Sequence, residues 1–255
     1  MKDVMGVIYT SRNDLRLREL TMSRAVAALP VVSRYRIIDF VMSSLVNSGA
    51  RNVGVIMQKN YHSLMDHLGS GKEWDLHTRN DGLFILPPYL TRDNVGTYGG
   101  MLEALRSNLR YLRRSKQEYL ILTNSETVYN MNFDDALRYH IDNHADMTLI
   151  YTKAGNIRFD QQVTDRHAYL DVDNRGNVVD YESGPVEPTY DNFYMDVLII
   201  RREMLAHLVD QAVAHGERDF GKDIIQSHIR TGDMKIMGYE YKGYACRIES
   251  VLSLF

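Results

Sequence analysis

The chain has 255 residues, 44% of them hydrophobic and 25% charged, which is enough for one large core. Its net charge of −3 argues against a nucleic acid or an anionic membrane surface as the main partner. The single cysteine, Cys246, excludes an internal disulfide framework and indicates a reducing cytoplasm, and we expect neither a signal peptide nor a membrane span.

Strand-like and helix-like patterns alternate along the chain up to about Tyr151. Short apolar runs predict strands at "VMGVIY", "NVGVIM", "GLFILPP", "EYLIL" and "DMTLIYT". Helical spacing of apolar residues predicts helices at "IIDFVMSSLVNSG", "NYHSLMDHLGSG", "MLEALRSNLRYLRR" and "NFDDALRYHIDNH". Gly49 and Gly69 stand where helices end, and Asn132 is placed to cap the start of a helix. This alternation predicts an α/β fold, a mostly parallel sheet with helices on both faces.

The pattern changes from Tyr151 onward. A hairpin is predicted around Asn174 to Gly176. A strand then runs into a helix in "NFYMDVLIIRREMLAHLVDQAVAH", and "DFGKDIIQSHIR" predicts one more helix. Because we find no linker, residues 1–255 are predicted to form one domain. In such folds ligands bind at the carboxyl ends of the strands, so the loops after "VMGVIY", "GLFILPP" and "EYLIL", and the tail around Tyr244, are where a site is expected.

Several stretches carry a resemblance to a known family, namely "RYRIIDFVMSSLVNSGARNVGVIMQ", "YLILTNSETVYNMNFDDALRYHIDNHADMTLIY", "DFGKDII" and "GYACRIES". The chain resembles, over essentially its whole length, the nucleotidyltransferase domain of ADP-glucose pyrophosphorylase (glucose-1-phosphate adenylyltransferase). It is most similar to the GlgD-type companion subunit of bacterial glycogen synthesis, rather than to the GlgC-type catalytic subunit. The resemblance implies a Rossmann-like, GT-A-like nucleotidyltransferase sheet. Family members usually continue into a left-handed parallel β-helix, which we expect to be absent from this chain.

The family joins ATP and glucose-1-phosphate with Mg²⁺ assistance, and its glycine-rich loop G-G-x-G-T-R-L holds the triphosphate. A match without gaps puts Ser11 and Arg12 on the paired glycines and Asp14 on the third, while Arg16 matches. The carboxylate of Asp14, placed ~4 Å from an anion, would repel it by about 4 kcal/mol per unit charge at an effective dielectric constant near 20. We therefore predict that this loop does not hold ATP as the loops of its relatives do.

Three further binding positions of the family are changed. Val26 stands where the family stretch R-A-K-P-A has its lysine, and Gly184 replaces the sugar-phosphate lysine of E-E-K-P. Tyr89 replaces the adenine-reading glutamine that follows L-P-P. The remaining candidates for nucleotide binding are Arg16, Tyr89 and Gly100.

The resemblance also implies two aspartates that hold Mg²⁺. Glu126 replaces the first, in G-D-H-I-Y, and keeps a carboxylate that is one methylene longer. Tyr244 is matched to the second, in W-x-D-V-G-T, with Arg247 nearby. Because Mg²⁺ requires hard oxygen ligands in tight octahedral geometry, we predict that Glu126 binds metal weakly and that the chain has no functional Mg²⁺ site. The catalytic positions are thus predicted to be degenerate.

Two other groups of basic residues are candidates for binding ligands that do not take part in that reaction. Arg34 matches the family position that contacts a phosphorylated effector, and Arg36 follows it; the alternative is a surface salt bridge. His140 and His144 have the spacing of a metal pair on a helix, or else they lie on a half-exposed helix face.

The sequence leaves three functions open, and we prefer the first. The first is a regulatory subunit that joins a catalytic GlgC-type partner in a tetramer-like hetero-oligomer. The second is an active adenylyltransferase with a rewired site, which would use Glu126 for metal and Arg12 or Arg16 for the triphosphate. The third is a stand-alone sensor of a sugar phosphate or nucleotide.

Overall fold

The computed structural model of the protein describes residues 3–10, 15–31, 34–78, 81–88 and 98–254. Within these ranges the strands are β1 (Val4–Tyr9), β2 (Pro30–Val31), β3 (Tyr35–Arg36), β4 (Asn52–Ile56), β5 (Gly82–Leu86), β6 (Tyr119–Asn124), β7 (Thr127–Tyr129), β8 (Met147–Lys153), β9 (Ile157–Arg158), β10 (Ala168–Val172), β11 (Val178–Ser183), β12 (Asn192–Arg201), β13 (Ile236–Glu240) and β14 (Ala245–Arg247). The α-helices are α1 (Ile37–Asn47), α2 (His62–Leu68), α3 (Met101–Ser107), α4 (Leu109–Arg114), α5 (Phe133–Asp142), α6 (Arg202–Ala214), α7 (Ser227–Thr231) and α8 (Val251–Leu254). Short 3₁₀ turns include Val26–Ala28, and a π-helical turn covers Phe220–Gln226.

The central sheet is mixed and mostly parallel, as the sequence predicts for a Rossmann-like nucleotidyltransferase. Strands β5, β4, β1 and β6 lie side by side in parallel. Strand β12 runs antiparallel to both β6 and β8, and β13 pairs in parallel with β8. The predicted hairpin is confirmed as β10 and β11, which extends the sheet beside the first residues of β12. Helices cover both faces of this sheet.

Alternation along the buried strands divides the core between the two faces. In β1, Val4 and Ile8 pack on the face covered by α1, α2 and α5, whereas Met5 and Val7 pack on the face covered by α3, α4 and α6. Period-two alternation in a strand whose two faces are both buried explains why "VMGVIY" reads as a continuous apolar run.

A second, smaller sheet lies next to the carboxyl edge of the central one. Strand β14 pairs antiparallel with β7 and parallel with β9. In this register Arg247 lies opposite Thr127 and Ala245 lies opposite Tyr129. The N–H of Ile248 donates to the carbonyl of Glu126 at 2.9 Å, which ties the end of β14 to the turn after β6. The small sheet thereby brings the tail of the chain to the edge where a ligand site is expected.

Two helix predictions had different outcomes. The Asn132 cap is confirmed, because its side chain accepts from the N–H of Asp134 at 2.9 Å. The single helix predicted for "MLEALRSNLRYLRR" is wrong, since it divides into α3 and α4 at Asn108. The Asn108 side chain donates to the carbonyl of Ala104 at 2.8 Å and so competes with the regular helical hydrogen bonds. Among the described helices, none is both long and apolar enough to cross a membrane.

Candidate functional site

The candidate site begins at the turn that follows β6. Asn124, the last residue of that strand, accepts through Oδ1 from the N–H of Glu126 (2.9 Å) and the N–H of Thr127 (2.8 Å). Its amide nitrogen donates to the carbonyl of Met195 on β12 at 3.1 Å. This turn therefore fixes Glu126 at the carboxyl edge of the sheet, next to β1, whose Tyr9 lies opposite Asn124.

Strand β12 contributes an acidic side chain through a bulge. The pairing of β12 with β8 shifts register between Tyr194 and Val197, and Asp196 within this bulge has φ 55°. Left-handed backbone is uncommon outside glycine but tolerated by aspartate. The bulge directs Asp196 toward β14, where its Oδ2 lies 2.6 Å from Nη1 of Arg247.

Arg247 is the centre of this group and is only 5% exposed. Its Nε lies 3.4 Å from Oε2 of Glu249, which is also buried. The other oxygen of Glu249 lies 2.8 Å from Nε2 of His167 and accepts from the N–H of Asp160 at 3.1 Å. We define the carboxylate cluster as Asp196 and Glu249, which lie within ion-pair distance of Arg247, together with Glu126, whose charge also raises the pKa of that arginine.

The cluster keeps its central cation charged. Burial by itself lowers the pKa of Arg247, but the carboxylates of Asp196, Glu249 and Glu126 raise it by more, so that its pKa lies above the ordinary value. The balance is physical: desolvation disfavours a charge and nearby opposite charges restore it. Arg247 is thus a permanent positive charge inside a ring of acids.

These residues do not fit the Mg²⁺ that the family resemblance implies. A magnesium ion needs oxygen ligands in octahedral geometry, whereas here a guanidinium lies against Asp196 and Glu249 and beside Glu126. Within the described ranges, no group of three or more His, Cys, Asp or Glu side chains is arranged to hold a metal ion. We accordingly derive no reaction step through a metal at this position.

Tyr244, the expected counterpart of the second Mg²⁺ aspartate, is not brought to Glu126. It is 67% exposed and lines a surface pocket with Arg158 and Lys242. The strand register explains the difference, because Arg247 pairs opposite Thr127 while Tyr244 falls beyond the pair formed by Ala245 and Tyr129. Arg247, which the sequence places near the metal position, is therefore the residue beside Glu126.

Two other altered positions have structural roles. Val26, at the position of the family lysine, is 3% exposed and packs in an apolar cluster with Ile37 and Ile248. Gly184 has φ +65° after β11, and its N–H donates to the carbonyl of His167 at 2.8 Å. A left-handed turn favours glycine at this point, so a lysine there would be strained.

The structure describes only some of the residues that remain candidates for nucleotide binding. Arg16 forms an ion pair with Asp165, with Nη2 3.0 Å from Oδ1, on the exposed surface. Gly100 precedes α3 and lines a cavity of about 450 Å³ together with Arg106 and Arg218. Ser11, Arg12, Asp14 and Tyr89 lie outside the described residues.

The effector candidates Arg34 and Arg36 differ in their surroundings. Arg36 donates through Nη1 to the carbonyl (2.6 Å) and the hydroxyl (2.8 Å) of Ser63, which anchors it to α2. Arg34 is exposed, and its guanidinium lies 5.4 Å from the ring centroid of Tyr35. Of the two, Arg34 is the one whose exposure is compatible with an anionic ligand.

The histidine pair does not form a metal site. His140 is buried on α5 with Nδ1 2.8 Å from the hydroxyl of Thr148. His144 lies beyond the end of that helix with φ 48°, so the two rings do not share a helix face. The half-exposed face proposed as the alternative is wrong for His140, which is 1% exposed.

Sequence reasoning missed three members of the site: Asn124, Asp196 and Glu249. A signal existed for Asp196, which interrupts the apolar run "NFYMDVLII" with a lone acid. Asn124 could have been found from the Asn-x-Glu-Thr turn pattern. Nothing local marks Glu249, because its role depends on the pairing of β14 with β7.

Comparison with known proteins agrees with this architecture. A family model described as "Nucleotidyl transferase" matches residues 13–241. A glucose-1-phosphate adenylyltransferase of Thermotoga neapolitana is 31% identical over 246 residues, which cover 96% of this chain. The chain spans 57% of the length of that relative.

Proposed function

Because the chain belongs to the nucleotidyl transferase family, we propose that its domain is a catalytically impaired, regulatory version of the glucose-1-phosphate adenylyltransferase fold. In this proposal it associates in the cytoplasm with a catalytic GlgC-type subunit in a hetero-oligomer and alters the activity or effector response of that subunit. A phosphorylated metabolite is the class of effector that an exposed arginine such as Arg34 suits.

The observation that carries the proposal is the position of Arg247. Its buried guanidinium lies within ion-pair distance of Asp196 and beside Glu126, at the carboxyl edge where the family binds its metal and phosphates. Phosphoryl transfer depends on positioning and charge neutralisation, and a metal ion commonly supplies much of both. The cation in this cluster is a side chain of the protein. Unlike a metal ion, it cannot arrive with a phosphate group and leave with it after the reaction.

The burial of Val26 supports the same conclusion. A lysine at this position would bring a positive charge toward the phosphates, but Val26 packs against Ile37 and Ile248. Removing one well-placed electrostatic contact commonly costs ~10²–10³ in rate. Because such losses need not multiply, we expect the turnover of the chain alone to be below about 10⁻³ of that of a catalytic subunit.

The test is an assay of pyrophosphate release with Mg²⁺, ATP and glucose-1-phosphate. The full-length protein is assayed alone, and then at increasing ratios with a catalytic subunit from the same organism. We expect no release above background by the protein alone, and a change in kcat, KM or effector response of the catalytic subunit on mixing.

Two outcomes would contradict this function. Unchanged kinetics of the catalytic subunit over a wide range of ratios would exclude a regulatory role. Turnover by the protein alone that Glu126→Gln abolishes would instead establish the alternative, an adenylyltransferase with a rewired site. Binding of a phosphorylated metabolite without any association with the catalytic subunit would favour the sensor.

A further inference from the structure

We propose that Arg247 is a resident cation that takes the place of a divalent metal ion in the carboxylate cluster and keeps such ions out. The inference concerns the same site as the proposed function and deepens it by naming the group that closes the site. In the described structure Glu126, Asp196 and Glu249 are not arranged to hold a metal ion, and the inference predicts that removal of Arg247 lets these carboxylates rearrange to bind a divalent cation.

The first support is convergence of charge from distant parts of the chain. Glu126 comes from the turn after β6, Asp196 from the bulge in β12, and Glu249 from the segment after β14. All three act electrostatically on Arg247. Three acids gathered at one place, two of them deeply buried, require a cation, because isolated buried carboxylates are strongly disfavoured.

The second support is the way the cation is held. The guanidinium has one nitrogen within ion-pair distance of Asp196 on β12 (2.6 Å) and another within ion-pair distance of Glu249 in the segment after β14 (3.4 Å), so it lies between acids from two parts of the chain. Glu249 is further fixed by His167 at 2.8 Å. The positive charge of Arg247, which acts on Glu126 as well, repels a hydrated metal ion that approaches these carboxylates.

The experiment uses Mn²⁺ as the probe, since it accepts the same oxygen ligands and its free form is counted by its paramagnetic resonance signal. The wild-type chain and Arg247→Met are titrated under the same conditions. We expect no saturable site at the cluster in the wild type. We expect one site in Arg247→Met that binds Mn²⁺ at least about tenfold more tightly than anything in the wild type, because loss of the guanidinium leaves the negative charge of the carboxylates uncompensated.

Two variants serve as controls. Arg113→Met also removes an arginine from an ion pair, that with Asp210, but at an exposed position, and we expect it to create no Mn²⁺ site. Adding Glu126→Gln to Arg247→Met should remove the new site. Arg247→Lys keeps the positive charge and should behave like the wild type.

Several results would overturn the inference. These are a wild-type Mn²⁺ site that Glu126→Gln abolishes, an Arg247→Met variant that binds no better than Arg113→Met, and an Arg247→Lys variant that binds as tightly as Arg247→Met. If Arg247→Met does not fold in chelator, folding on addition of Mn²⁺ supports the inference, and failure to fold with millimolar Mn²⁺ contradicts it. No partner subunit is needed for these measurements, so the regulatory function and this inference can fail separately.

Discussion

Two buried basic side chains at opposite edges of the central sheet are stabilised in contrasting ways. His140 lies near the starts of β6 and β8, where Tyr119 meets its ring edge-on at 5.6 Å and Thr148 is its hydrogen-bond partner. Arg247 lies at the carboxyl edge and is surrounded by acids. Burial lowers the pKa of His140 to about 4, so this residue is neutral at pH 7, whereas Arg247 retains its charge.

The difference shows what each edge of the sheet tolerates. A histidine can release its proton and then carries no charge into the core; Nδ1 of His140 pairs with Thr148, while its buried Nε2 has no hydrogen-bond partner among the described residues. An arginine cannot be deprotonated in a protein, so its burial requires acids that are buried with it. The carboxyl edge therefore carries a set of charges whose members depend on one another, and the amino edge does not.

The largest expected effect comes from removing the cation of the carboxyl edge. Arg247→Met leaves the buried Glu126 and Glu249 and the half-buried Asp196 without their shared cation, and we expect the free energy of unfolding to fall by about 3–5 kcal/mol. Urea unfolding in a chelating buffer measures this change. Arg113→Met, which breaks an exposed pair, should cost less than about 1 kcal/mol. Equal losses in the two variants would show that the cluster has no special role in stability.

The next effect concerns the amino edge and depends on pH. Because the folded-state pKa of His140 is lowered to about 4, the unfolded state, with a pKa near 6.5, binds more protons between these values. The contribution of His140 is complete above pH 6.5 and is lost as the pH falls toward 4, by about 3 kcal/mol at most.

The measurement is the pH dependence of the free energy of unfolding in wild type and in His140→Gln. We expect the variant to lose much of the acid slope between pH 6.5 and 4, whatever its stability at pH 7. His207→Gln is the matched control, since His207 is exposed on α6 and should leave the slope unchanged. A slope that survives in His140→Gln would assign the acid sensitivity to other groups.

The sequence predicted the amino edge far better than the carboxyl edge. Strand β1, helix α5 and its Asn132 cap follow from local patterns, because apolar spacing and a capping side chain act within a few residues. The carboxylate cluster joins Glu126, Asp196 and Arg247, which are brought together by a bulge and by a three-residue strand. Such contacts depend on register, which no local pattern contains.

The positions of Tyr244 and Arg247 illustrate how strongly a site depends on strand register. Motif matching alone placed the former at the metal position, and both residues belong to the same short segment. Only the pairing of Ala245 with Tyr129 decides which side chain lies beside Glu126. A shift of three residues along a strand moves a side chain by about 10 Å and to the other face, so the choice between these two residues changes the chemistry assigned to a site.

The smallest expected effect comes from weakening the turn that holds the carboxyl edge without changing any charge there. Asn124→Ala removes the acceptor for the N–H groups of Glu126 and Thr127 and the donor to Met195, all buried, and we expect a loss of about 2 kcal/mol in the free energy of unfolding. Asn132→Ala, which removes one exposed cap contact on α5, should cost about 1 kcal/mol. Because Asn124 holds the turn and carries no charge, its variant should lose stability by the same amount at pH 5 and pH 7. A loss that grows sharply on acidification would instead mean that the turn and the protonation of the carboxylate cluster are coupled.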